Sequence, residues 1–300
     1  MVDPLLLLPD FLLIFAGWII CRYTALGRPV WQAAEQLVYY LLFPVLLFSS
    51  IVRTPLRAGE SISLATAGIG TMAIGIVLAL SLAFWPGVDK RLHASGAQIA
   101  FRFNSYIALA LSERLFGVQG LAWMALLMAL AVPLCNVAAV WSLARQGGHS
   151  YLGEVVRNPL IISTVAGLAA NVAGLTLPTA VATTLQRIGL AALSLGLMAV
   201  GAGLTFGALK SGPGLAASLL AIRHAVLPVV AIGLAFALAL PPAQAGIVVL
   251  FASLPTAASA YVLAARMGGD GGFVAGIVTV STLLGMVSVP LWLAVLQRLG

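Results

Sequence analysis

Residues 61–85 run without one charged side chain, and so do residues 119–144 and 272–297. About 20 consecutive apolar residues is the length a helix needs to cross the hydrocarbon layer of a bilayer. Inside that layer every backbone group must find its partner within the protein, which leaves helices or closed barrels as the spanning structures. Breakers and charges divide the remaining chain in the same way. Apolar segments fall near 4–22, 31–52, 61–85, 95–116, 119–144, 156–175, 181–208, 214–240, 243–267 and 272–297, ten in all. The loops between them are short and marked by Gly27-Arg28-Pro29, Gly147-Gly148, Ser211-Gly212-Pro213 and Pro241-Pro242. The fold class expected is an all-α integral membrane protein with ten transmembrane helices.

Composition closes the soluble alternatives. Charged residues make up 8% of the chain and hydrophobic ones 62%, against roughly 25% charged in ordinary soluble domains. The net charge of +7 is spread over single and paired cations rather than one basic face, so no nucleic-acid partner is expected. Cys21 and Cys135 sit in apolar stretches and no Cys/His cluster has metal-ligand spacing, so neither metal nor cofactor is expected. The first cation is Arg22; a cleavable signal peptide opens with positive charge, so the first segment reads as a retained helix.

The cations set an orientation. With the N-terminus outside, Arg22, Arg28, Lys90, Arg91, Arg145, Arg157, Lys210 and Arg266 face the cytoplasm, while Arg53, Arg57, Arg114, Arg187 and Arg298 face out. The bias of basic residues toward the inside then puts both termini on the non-cytoplasmic side of the inner (plasma) membrane.

The two halves echo each other. Asp3-Pro4-Leu5 answers Asn158-Pro159-Leu160, Val132-Pro133-Leu134 answers Val289-Pro290-Leu291, and Phe116-Gly117-Val118-Gln119-Gly120 answers Met267-Gly268-Gly269-Asp270-Gly271, in the same order and about half the chain apart. A repeat of five spans is odd, so its second copy enters from the opposite side. Residues 1–150 and 151–300 therefore read as two inverted five-helix repeats, an architecture of secondary transporters.

In such folds the ligand sits near the midplane, where discontinuous helices free backbone groups. Pro255, within Ser253-Leu254-Pro255-Thr256-Ala257 of the ninth segment, has no N–H and clashes with the preceding turn, so a break is expected there. Its counterpart in the fourth segment is Asn104, inside Arg102-Phe103-Asn104-Ser105-Tyr106, the most polar run at membrane depth. The expected substrate-binding residues are Arg102, Asn104, Ser105, Tyr106, Pro255, Thr256 and Ser259. Arg102 reads in two ways, as counter-charge for an anionic substrate or as a structural cation that snorkels or pairs with Glu113 or Asp89. Asn104 either offers its amide to the substrate or satisfies orphan carbonyls of the broken helix. Helix ends aimed at one place favour a carboxylate. Arg223 and His224 read as interfacial snorkelling, with a gating or proton role as the sharper alternative. Glu35, Glu113 and Asp270 read as solvated helix ends, and Gly196, Gly201, Gly203 and Gly207 as close helix packing.

These motifs carry a family resemblance. Asn158-Pro159-Leu160-Ile161-Ile162 with Gly167-Leu168, Ala199-Val200-Gly201-Ala202-Gly203-Leu204, Arg102-Phe103-Asn104-Ser105-Tyr106 with Leu115-Phe116-Gly117, and Pro255-Thr256-Ala257-Ala258-Ser259-Ala260-Tyr261 with Ser281-Thr282-Leu283-Leu284 together resemble the auxin efflux carrier family. The resemblance implies ten helices in two inverted repeats akin to the sodium/bile acid symporter fold, with broken crossover helices 4 and 9. It also implies a rigid scaffold against a moving panel, and a homodimer through helices one, two and seven. Bacterial-looking members are associated with malonate, malate and similar acids, and plant members with auxin; by position Asn104 and Pro255 match the crossover residues. Ala108-Leu109-Ala110 stands where many members have Gly-x-Pro, which implies a break that is softer or rests on Asn104 alone, and the long cytoplasmic loop of the plant carriers is missing.

The reading reached is a carrier of a small organic anion working by elevator-type alternating access. A sodium-coupled symporter is the alternative, with Asn104, Gln98, Gln244 and backbone carbonyls as ligands. An intramembrane enzyme lacks its machinery: Asp270 stands alone at a helix end, and His93, His149 and His224 all fall near expected cytoplasmic ends.

Overall fold

The structure is a computed structural model describing residues 8–53, 58–144, 159–204, 212–257 and 259–299. Asp3-Pro4-Leu5, Asn158, Gly207, Arg57, Arg145, Arg157 and Lys210 lie outside the described residues. Every described element is helical. α1 is Leu8–Tyr23; α2 (Arg28–Leu37) runs through a π turn at Val38–Leu42 into α3 (Phe43–Arg53); α4 is Ala58–Ser81 and α5 Lys90–Gly96. α6 is Ser105–Ala144, α7 Pro159–Val172 and α8 Thr179–Ala202. α9 (Pro213–Ala221) runs through a second π turn at Ile222–Val226 into α10 (Leu227–Ala237). α11 (Pro242–Ser253), α12 (Ser259–Arg266) and α13 (Gly271–Leu299) complete the chain.

Local chemistry explains the punctuation. α2, α9 and α11 each start on a proline at the first helical positions, where the missing N–H is no loss. Gly212 precedes Pro213 at φ 58°, a left-handed turn that glycine adopts without penalty. Both π turns stop just before a proline, Pro44 in one case and Pro228 in the other. Each proline deprives the carbonyl four residues earlier of its donor, and the wider turn accommodates that loss. α6 is 40 residues long, about twice a bilayer crossing. It is jointed at Gly117, where φ is 63° and ψ −158°.

Six stretches among the described residues are long and apolar enough to cross a bilayer: Arg28–Arg53, Ile62–Phe84, Lys90–Leu143, Thr179–Ala202, Pro213–Ala237 and Gly271–Leu299. Their outward faces carry bare apolar side chains, with Phe84 at 86% and Val287 at 66% exposure. Apolar surface so exposed belongs against lipid. The protein is a multi-pass membrane protein.

Two sets of helices pack most closely. α1 lies on α8, and α3 on α7 and α8. In the other set α11 is buried along Gln244–Ser253 and packed by α4, α6, α10 and α13, as a helix apolar all round should be. Glycine sets the α1–α8 distance: a Cβ on Gly17 would strike the Met198 carbonyl, and one on Gly201 the Ile14 carbonyl. Gly196 lies against Tyr106 and Phe43, and Gly203 near Arg28. The half-buried carboxylates depart from the solvated ends expected of them. Glu35 pairs with Arg28 at 2.8 Å, and Asp270 caps α13 by accepting the Phe273 amide at 2.8 Å.

Candidate functional site

The helical path stops twice in the interior. α5 continues as a 3-10 turn over Ala97–Ala100, residues 102–104 are not helical, and α6 restarts at Ser105. α11 stops at Ser253, where Leu254 turns to ψ 145°, and α12 begins at Ser259. The two interruptions meet: the Asn104 amide donates to the Pro255 carbonyl at 2.9 Å. Phe103 and Phe251 pack edge to face beside this joint, their centroids 4.7 Å apart.

Asn104 caps α6. Its Oδ1 accepts the amides of Tyr106 at 3.0 Å and Ile107 at 3.2 Å, as asparagine does at an N-cap. The orphan groups it satisfies are thus amides, not the carbonyls the sequence suggested. The cap also makes the break independent of the Gly-x-Pro that this chain lacks, since Ala108 already donates to Asn104 inside the helix. Asn104 is 2% exposed and its Nδ2 has no partner among the described residues.

Thr256 is fully buried. Its amide donates to Ser281 Oγ of α13 at 3.0 Å, while its own Oγ1 has no partner among the described residues. Asn104, Pro255 and Thr256 therefore share one place. Arg102 and Ser105 flank it, half-buried. Arg102 donates to Gln98 Oε1 at 3.0 Å, and Gln98 Nε2 reaches the Ala260 carbonyl at 3.1 Å, tying the first interruption to α12. Tyr106 turns away, stacking on Phe43 of α3 with centroids 5.1 Å apart. Ser259 opens α12, and its side chain lies outside the described residues.

Arg223 and His224 overturn the snorkelling expected of them, being 0% and 8% exposed. The π turn places Ile222, Arg223 and His224 inward in succession. Arg223 Nε donates to the Leu254 carbonyl at 2.6 Å and Nη2 to the Phe251 carbonyl at 3.1 Å, so the guanidinium fork covers the carbonyl end of the interrupted α11. Nη1 has no partner among the described residues. His224 lies between Ser281 Oγ at 2.8 Å and Ser288 Oγ at 2.9 Å. Its carbonyl, which Pro228 cannot serve, takes the Trp292 indole N–H at 2.7 Å. A basic pair in mid-span followed by proline was the signal for this arrangement. Read alone it does not distinguish a buried pair from a snorkelling one.

Three donors on neighbouring residues are therefore open at one buried joint: Asn104 Nδ2 on the residue bonded to Pro255, Thr256 Oγ1 beside it, and Arg223 Nη1 on the side chain bonded to Leu254. Donors and a cation suit an anion. Of the residues expected as sodium ligands, Gln98 Oε1 accepts from Arg102 and Asn104 Oδ1 from two amides, while Gln244 Oε1 has no partner among the described residues.

A multi-pass helical protein with an interior polar joint between two interrupted helices is of the membrane-transporter class. The profile of the membrane transport protein family matches residues 143–293, just over half of the chain. The chain belongs to this family, that of the auxin efflux carriers which its motifs resemble. An uncharacterized transporter of Methanothermobacter thermautotrophicus is 26% identical over 296 residues, covering 95% of each chain. A protein of Rhizobium meliloti provisionally named a malonate transporter is 25% identical over 298 residues, covering 95% of this chain and 92% of its own.

Proposed function

We propose that this membrane transporter moves a small organic anion, a carboxylate such as malonate, malate or an auxin-like acid, by elevator-type alternating access. The observation that carries the proposal is the buried joint at Asn104 and Pro255 with its three open donors. A carboxylate there would take the Asn104 amide, the Thr256 hydroxyl and the free edge of Arg223. Arg102 stands at the flank as a second cation, with Ser105 and Ser259 as hydroxyl contacts. The name of the Rhizobium relative supports malonate as the first substrate to test.

The architecture proposed with it is ten spans in two inverted repeats, 1–150 and 151–300, with residues 95–116 and 243–267 as the crossover helices. α1, α3, α7 and α8 would form the scaffold, and α4, α6 and α9–α13 the moving body. The Asp10–Arg114 ion pair (3.0 Å) and the Phe43–Tyr106 stack bridge the two sets and would be exchanged during movement. The protein would work as a homodimer in the plasma membrane with both termini outside.

The test is a thermal-shift screen of purified protein against mono- and dicarboxylates, since a ligand that binds the folded form alone raises its melting temperature. Counterflow of the best ligand would then be measured in sodium-free proteoliposomes. Saturable counterflow without sodium, lost in Arg223→Met and weakened in Arg102→Ala, is the expected result. Stabilisation by no carboxylate would end the proposal, and an absolute need for sodium would replace it with the symporter alternative.

A further inference from the structure

The hydrogen-bond partners around His224 favour one assignment of hydrogens. Ser288 Oγ has the Ser253 carbonyl as an acceptor at 3.4 Å, a long but available contact. If the Ser288 hydrogen goes there, His224 Nδ1 must be the N–H that donates to Ser288 Oγ. Nε2 is then a bare acceptor and receives the Ser281 hydroxyl, and Ser281 Oγ in turn accepts the Thr256 amide. Every donor has an acceptor. The opposite tautomer takes the Ser288 hydrogen away from the Ser253 carbonyl and leaves that carbonyl without this donor, the costlier arrangement in a buried site. The chain from Thr256 N–H through Ser281, His224 and Ser288 to the Ser253 carbonyl joins the end of α11 to the residues after it.

This chain has a second setting. A proton added to Nε2 makes both ring nitrogens donors, so Ser281 must give up Nε2 as its acceptor. The freed hydroxyl turns toward Thr256, whose buried Oγ1 has no partner among the described residues, or toward an anion held beside it. Protonation thus adds a donor and a positive charge at the joint. Arg223 is the charged neighbour of His224 within the π turn. From α11 and α13, which pack against the turn, the Ser253 carbonyl, the Ser281 and Ser288 hydroxyls and the Trp292 indole reach the network. On α6, Cys135 lies within electrostatic reach of Arg223. A carboxylate at the joint supplies the missing negative charge.

We infer that His224 is a proton-binding site of the transport cycle, taking up a proton at Nε2 when a carboxylate enters the joint and so coupling anion movement to proton movement. The inference rests on the anion reading of the same joint. Coupling of this kind is reciprocal: the anion raises the affinity for the proton, and the proton that for the anion. Anion binding therefore strengthens as pH falls. The proton comes from the aqueous face to which the site is open and returns to water on the other face with the anion. No bond other than N–H forms or breaks.

Two measurements test it. Nitrogen NMR of ¹⁵N-histidine-labelled protein, with His224→Gln identifying the resonance, should show a neutral Nδ1–H ring without ligand; an Nε2–H ring or an imidazolium there overturns the assignment. Calorimetry of malonate binding at mildly alkaline pH, in two buffers of different ionisation heat, counts protons. The parent should take up roughly one proton per malonate, and His224→Gln should bind malonate with none. Malonate binding without proton uptake in the parent, or with the same uptake in His224→Gln, overturns the role of His224 and leaves the anion site standing. If no carboxylate binds the parent at all, both readings fall together.

Discussion

Replacing Asn104 by serine separates the two jobs of this side chain. Oδ1 caps α6 through two amides, and Nδ2 is buried with no partner among the described residues. The bond from the Asn104 amide to Pro255 belongs to the backbone and survives any side chain. Serine is as good an N-cap as asparagine, so Asn104→Ser keeps the cap and removes the orphan NH2, whose burial costs about 1–3 kcal/mol. The unliganded protein should melt at the same temperature or a few degrees higher, at about 2–4 °C per kcal/mol for a chain of this size class. The liganded protein loses a charge-assisted hydrogen bond of about 1.5–3 kcal/mol, which lowers malonate affinity by about 10- to 150-fold. Scanning fluorimetry without and with malonate reads both numbers in one experiment. Stability held or raised while affinity falls is the mark of a group kept for binding. Should Asn104→Ser bind malonate as the parent does, Nδ2 is no ligand contact and the donor argument fails. A joint fall of stability and affinity would make the amide structural.

Other substitutions reach other parts of the fold. Gly201→Val drives a side chain into the Ile14 carbonyl, where no rotamer relieves the clash; it should cost about 1–3 kcal/mol, and an unchanged melting temperature would show that α1 and α8 are not apposed there. Arg114→Gln strands the Asp10 carboxylate, which is 4% exposed, so it should destabilise more than the Asp10→Asn, Arg114→Gln pair. A double-mutant cycle should give a coupling of about 1–2 kcal/mol, and additivity would refute the contact. Gln244→Leu removes an amide whose nitrogen and oxygen are both buried without partners among the described residues. It should stabilise by about 1–3 kcal/mol and leave transport intact, whereas loss of transport would return Gln244 to the list of ion ligands.

How much of this was legible from residues alone depends on the range of the interaction. Long uncharged stretches answer to the bilayer thickness, a one-dimensional constraint, so the all-helical membrane class and the position of most helices could be read directly. Pro255 and Asn104 mark their interruptions by local chemistry, one by lacking an N–H and the other by capping the next helix. The π turns were equally available, each lying just ahead of an interior proline, but they follow from a rule about the preceding carbonyl and not from hydropathy. Tyr106, grouped with Asn104 by sequence adjacency, turns to α3 because two residues along a helix point to different faces.

The amino-acid order by itself determined that this chain lives in a bilayer, that its helices break at Asn104 and Pro255, and that it belongs with the membrane transport proteins. Only the tertiary structure decided that the Asn104 amide meets the Pro255 carbonyl and that Arg223 is spent on the end of α11. It also decided that His224 sits between two serines of α13. Hydropathy is additive along the chain and survives being read one residue at a time. The partner of a buried polar group is chosen by whichever atom the fold brings within about 3 Å, and residues 28, 31, 57 and 64 positions apart in sequence come that close only after every helix has been packed.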